Sequence, residues 1–152
     1  MAATAFDVQL EGNIKFCSVT SAGVPATGSM IDFSDEVNQL TISVGRDTVD
    51  RKPTFKDART VKRMAGFVES VTVGFLGDEG NASGFWSLVW DALQGATEIY
   101  FRGNFKPGAT SATNPEFAGF ITASDLDGGG VVADGKWISK TWSARNITRK
   151  TS

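Results

Sequence analysis

The 152-residue chain contains no histidine, so both the commonest general base and the commonest metal ligand are missing. It has one cysteine, Cys17, which excludes an internal disulfide framework and leaves the fold to packing alone. With no imidazole to deprotonate it, a mid-strand thiol reads as a core group and not as a nucleophile. An excess of positive charge is also lacking. The formal charge is −2 and the sequence pI about 5.1, which argues against a dedicated nucleic-acid binder. No apolar run approaches the length of a membrane span, and the opening "MAATAFDVQL" has no basic stretch followed by an apolar one. The expectation is a protein made and kept in a reducing cytoplasm. Phosphate-loop and dinucleotide-binding glycine patterns are absent too.

What is present is mostly alternation. "NIKFCSV" sets Ile14 and Phe16 against Lys15 and Cys17, and "QLTISV" sets Leu40, Ile42 and Val44 against Thr41 and Ser43. "FVESVTVGF" places Phe67, Glu69, Val71, Val73 and Phe75 on one face. In "KWISKTWSA", Ile138, Lys140 and Trp142 oppose Trp137, Ser139 and Thr141. With "EIYFR" and "FAGFITA" these make six or more strands, separated by glycine-rich turns that favour antiparallel pairing. One stretch differs. From Gly84 the sequence "GFWSLVWDALQGATEIYF" carries Phe85, Trp86, Val89, Trp90 and Leu93 at spacings of three and four, a wide apolar stripe. The pattern predicts a core-facing helix over about 83–94, capped by Ser83 and stopped at Gly95 by a left-handed turn. So short a helix is marginal alone and must lie on the sheet.

The charge is unevenly spread. Between two good strands, "RDTVDRKPTFKDARTVKRMAG" (46–66) holds Arg46, Arg51, Lys52, Lys56, Arg59, Lys62 and Arg63 against Asp47, Asp50 and Asp57, a net +4. The rest of the chain therefore sums to −6. The segment reads as a long basic inter-strand loop, which is either a solvated connection or an arm that reaches an acidic surface on another copy. Opposite-signed patches on identical subunits favour head-to-tail contacts. "DLDGGGVVAD" offers Asp125, Asp127 and Asp134 in a faintly calcium-like loop. It lacks the closing glutamate, so a glycine turn flanked by solvated acids is the better reading.

Two stretches resemble the major tail (tail tube) proteins of long-tailed bacteriophages. In residues 38–80 the matching features are a strand, then the Asp47-x-Val49-Asp50 and Phe55-x-Asp57 segments. Basic residues follow, and Ala65-Gly66 leads into an alternating strand, with a Trp-bearing helix after it. In residues 102–144 the matching core is Ser111, Ala112, Thr113, Asn114, Pro115, Phe117 and Gly119, followed by a glycine turn and a closing Trp strand. The resemblance covers more than half the chain.

It implies a single domain over 1–152, an antiparallel β-sandwich or half-barrel with one flanking α-helix, related to the tube protein of type VI secretion. It further implies homohexameric rings that stack into a tube conducting DNA without specific binding, with 46–66 as the inter-ring loop. No cofactor, metal, membrane or catalysis is expected. Tape measure, tail terminator and baseplate proteins are the expected further partners, and the virion tail, assembled in the host cytoplasm, the location. The alternatives are another virion ring protein of the same fold, such as a terminator or baseplate ring, or a β-sandwich that binds a ligand or carbohydrate through Trp137 or Trp142.

Overall fold

The computed structural model describes residues 13–19, 23–25, 27–33, 35–56, 59, 61–128 and 137–152. Asp57, Asp134, Gly129 and Gly130 lie outside the described residues, as does the side chain of Arg51. The chain is mainly β, with seven strands among the described residues: β1 (Asn13–Ser18), β2 (Ile31–Asp32), β3 (Val37–Arg51), β4 (Val61–Leu76), β5 (Ile99–Asn104), β6 (Glu116–Thr122) and β7 (Trp137–Lys150). A single α-helix among the described residues, α1 (Phe85–Gly95), links β4 to β5. The strands form one antiparallel sheet in the order β2-β1-β5-β6-β7-β4-β3, with its two margins unjoined. This is an open half-barrel.

Period-2 alternation decides which face is apolar. Phe16, Val71, Val73, Phe75, Ile99, Phe101, Ile121, Ile138 and Trp142 all point to one face, where α1 adds Phe85, Val89 and Ala92. Phe85 is the centre of this core. Its ring lies 4.9 Å from Phe16, 5.4 Å from Phe33 and 5.0 Å from Phe75, all near edge-to-face. Opposite, Cys17, Tyr100 and Phe120 make a smaller cluster. β1 comes so close to β5 at Gly103 that a Cβ there would lie 1.8 Å from the Asn13 carbonyl oxygen. Only glycine fits that contact.

The helix differs from expectation at both ends and on one face. Its N-cap is Gly84, not Ser83, and it makes no side-chain capping bond. The entry is organised by Asn81 instead: its Oδ1 accepts from the Ser83 N–H (3.1 Å) and its carbonyl accepts from Ser87 Oγ (2.7 Å). The glycine lies under Glu36, whose Oε1 sits 2.6 Å from where a Cβ on residue 84 would be. At the other end Gly95 is still helical, and the left-handed residue is Ala96 (φ 52°), whose N–H reaches the Ala92 and Leu93 carbonyls. Phe85 and Val89 are buried, while Trp86 and Leu93 are partly buried against the core. Trp90 is 46 % exposed and stacks on Trp86. The apolar stripe is therefore wider than the core it serves.

The segment 46–66 is not one long loop. β3 and β4 remain paired as far as Arg51↔Val61, and only the nine positions between them connect the strands. Asp50 stands opposite Lys62, and Arg46 lies over the Phe67 ring at 4.2 Å. Cross-strand charge and cation–π pairing thus sustain a ladder where apolar content is low.

Candidate assembly surface

β4 runs beside β7 only from Ser70 to Leu76. Beyond Ser70, towards Val61, it has β3 alone as a neighbour, so the hairpin leaves the sheet as a two-stranded ribbon. Those nine residues span about 30 Å at the usual rise per strand residue. The ribbon carries Val44, Val49, Phe55, Met64, Phe67 and Val68, six of the ten large apolar side chains that are exposed among the described residues. Phe55, beyond the last pair at the tip, is fully exposed (113 %). Isolated two-stranded ribbons are marginal in water, and this one shows solvent an apolar surface without a third layer.

The basic residues expected in the loop follow the ribbon. Arg46, Lys62 and Arg63 lie on its strands, Lys52, Lys56 and Arg59 on the connection, and Asp47 in the bulge between Arg46 and Thr48. Among the described residues the whole outer edge of β3 is a margin of the sheet, and on its ribbon-facing side β7 has no neighbour from Ala144 to Lys150. Rows of backbone donors and acceptors left open in this way invite another strand.

The sheet face turned away from α1 has a different chemistry. Across β3, β4 and β7 it presents hydroxyl rows, Thr41–Thr72–Thr141 and Ser43–Ser70–Ser143, with Thr72 and Thr141 hydroxyls 2.8 Å apart. Next to these rows the charges come in pairs. Arg145 binds Glu98 through two bonds of 2.7 Å and covers the Phe120 ring, and Arg102 binds Glu116 at 2.9 Å. Hydrogen bonding to Arg145 holds the Glu98 carboxyl below its ordinary range, and the same bond raises Arg145. A depression of about 160 Å³ over Lys15, Met30, Arg102 and Glu116 is smaller than the roughly 300–1,000 Å³ of small-molecule sites.

At the far end of the sheet, Lys140 reaches Asp125 (2.6 Å) and Asp127 (3.1 Å), and the Trp142 indole donates to Asp125. The calcium-like loop thus holds an ammonium group. Donating to Asp125, then to Asp127, raises the Lys140 pKa, and Lys140 lowers that of Asp125. Among the described residues no cluster of three or more His, Cys, Asp or Glu is placed to hold a metal. Burial pushes the Cys17 thiol up. Trp142 is buried, so of the two tryptophans considered for sugar stacking only Trp137 faces solvent.

The Ser111–Gly119 signature turns out to be a fastening. Ser111 and Asn114 exchange backbone bonds, and the buried Asn114 amide donates to the Lys106 carbonyl (3.1 Å), with those of residues 107–109 close by. A Cβ on Gly119 would lie 3.0 Å from both Phe101 and Ile147. Sequence reading missed the ribbon and the exposed side of Trp90. No helix among the described residues is long and apolar enough to cross a membrane. No protein-family model matches the chain, and no curated protein matches it in sequence.

Proposed function

We propose that the chain is a structural subunit of a long-tailed bacteriophage tail tube. Six copies close a ring, rings stack into a tube, and DNA passes through it without specific binding, cofactor or catalysis. The observation that carries this reading is the β3–β4 ribbon: about 30 Å of hairpin with exposed apolar side chains and open edges, an arm incomplete without another copy. Heterologous contacts between identical subunits close into rings or extend into filaments.

Two further features support it. The helix and core occupy one side of the sheet, leaving the neutral hydroxyl rows to line a channel. Phosphate contacts by cations are what hold DNA, and those rows offer none. The finished tube belongs to the virion tail, built in the host cytoplasm, and meets tape measure, terminator and baseplate proteins along its length and at its ends. Negative-stain microscopy of the concentrated full chain tests the reading. Annular and tubular particles are expected, whereas particles no larger than monomers would overturn it. Discrete rings that never lengthen would instead indicate a terminator or baseplate ring.

A further inference from the structure

Trp90 is left over by the core. Its ring stacks on Trp86 at 5.5 Å, nearly parallel, and the Trp86 indole is pinned by a 2.9 Å bond to the Asp127 carbonyl. Glu79 lies beside the same ring system, next to where a Gly128 Cβ would stand, and Asp78 and Asp91 adjoin the pair in the chain. With Asp125 and Asp127, whose carbonyl takes the Trp86 bond, five carboxylates belong to the segments at this end of the sheet, and two of them hold Lys140 between them. A half-exposed Trp90, stacked on Trp86 at an end of the molecule rich in carboxylates, has its complement on the same molecule. The ribbon tip joins a fully exposed Phe55 and an exposed Met64 to Lys52, Lys56, Lys62 and Arg63. Tryptophan and arginine are the residues that most often anchor interfaces, and cations favour indole faces.

One copy cannot satisfy itself. β4 runs from the tip at Val61 to Leu76, and the acidic end begins two residues later at Asp78. Tip and tryptophan pair therefore stand at opposite ends of a 16-residue strand, about 50 Å apart along its length. We propose that the ribbon tip of one copy docks on the Trp86–Trp90 surface of another, with Phe55 and the basic side chains meeting the rings and their carboxylate rim. The contact is head-to-tail, and where it joins subunits of successive rings it repeats along the axis and sets the direction of stacking. This inference rests on the tube reading and names the surface that receives the arm.

Two full-chain variants test it. K52E/K56E/K62E/R63E turns the tip's four cations into carboxylates and takes segment 46–66 from +4 to −4, and D78K/E79K/D91K turns three of the five rim carboxylates into ammonium groups, so that the rim becomes net positive. Each alone should raise the critical concentration for assembly by roughly 100-fold, because like charges then face each other. Mixed in equal amounts they should co-assemble, since an acidic tip meets a basic rim and a basic tip an acidic rim. Unchanged assembly by either variant, or two inactive variants that stay inactive when mixed, would overturn the docking while leaving the tube intact. Circular dichroism and thermal melting matching the parent show that both variants fold. A parent chain that itself never assembles fails the tube reading instead.

Discussion

Replacing Phe55 and Met64 together by serine separates the ribbon's role in assembly from any role in folding. Both side chains are exposed, at 113 % and 76 %, and no core residue packs on either. Burying such a side chain completely contributes about 2 kcal/mol. Scaled by what each still shows to solvent, the pair holds about 3.5 kcal/mol that only a second molecule can recover. At about 1.4 kcal/mol per decade, its loss raises the critical concentration for assembly roughly 300-fold. Folding should hardly notice, because exposed substitutions away from structural features stay within about 0.5 kcal/mol. Sedimentation across a concentration series measures the first quantity, and urea denaturation of the dilute chain the second. Two results would refute the reasoning: an unchanged critical concentration, or a loss of several kcal/mol in the dilute chain, which would mean that the ribbon packs on its own subunit.

Other consequences concern the subunit itself. Ala96 holds φ 52° at the helix end, so Ala96→Gly should stabilise the chain by about 0.5–1 kcal/mol in urea denaturation. Gly103→Ala should cost more than about 3 kcal/mol or abolish soluble expression, because its Cβ would strike the Asn13 backbone. Glu98 and Asp125 have depressed folded-state pKa values, so their contribution is full above the ordinary carboxylate range and is lost as pH falls through the lowered values. Glu98→Gln should therefore flatten the acid limb of a stability–pH curve, and an unaltered slope would deny the Arg145 bond that role. Cys17, buried with a raised pKa, should resist a thiol reagent in the native chain at pH 7 and react at once in urea.

Much of the fold was legible because the core obeys alternation. Val71, Val73 and Phe75 fall on one face of β4 just as their spacing requires, and Phe85 and Val89 meet them from the helix. The ribbon was harder to read. Its strands carry Arg46, Asp50, Lys62 and Arg63 where a core strand carries apolar residues, so the charge cluster reads as a loop. Trp90 illustrates another limit. Helical spacing places it beside Trp86, but spacing does not say how far a sheet extends beneath a helix. Close approaches such as Asn13 on Gly103, or Glu36 on Gly84, depend on partners far apart in sequence and leave no local pattern at all. The Ser111–Gly119 signature was visible as a motif, whereas the tie between Asn114 and carbonyls 106–109 arises only once the chain folds back on itself.

Amide hydrogen exchange of residues 61–69, compared between dilute chain and assembled particles, tests most directly whether this subunit is completed by its siblings. Fast exchange in the dilute chain, with strong protection on assembly, is the predicted result, while Ser70–Leu76 stays protected in both. Equal protection of the two segments in the dilute chain, with no particles forming at any concentration, would contradict the account.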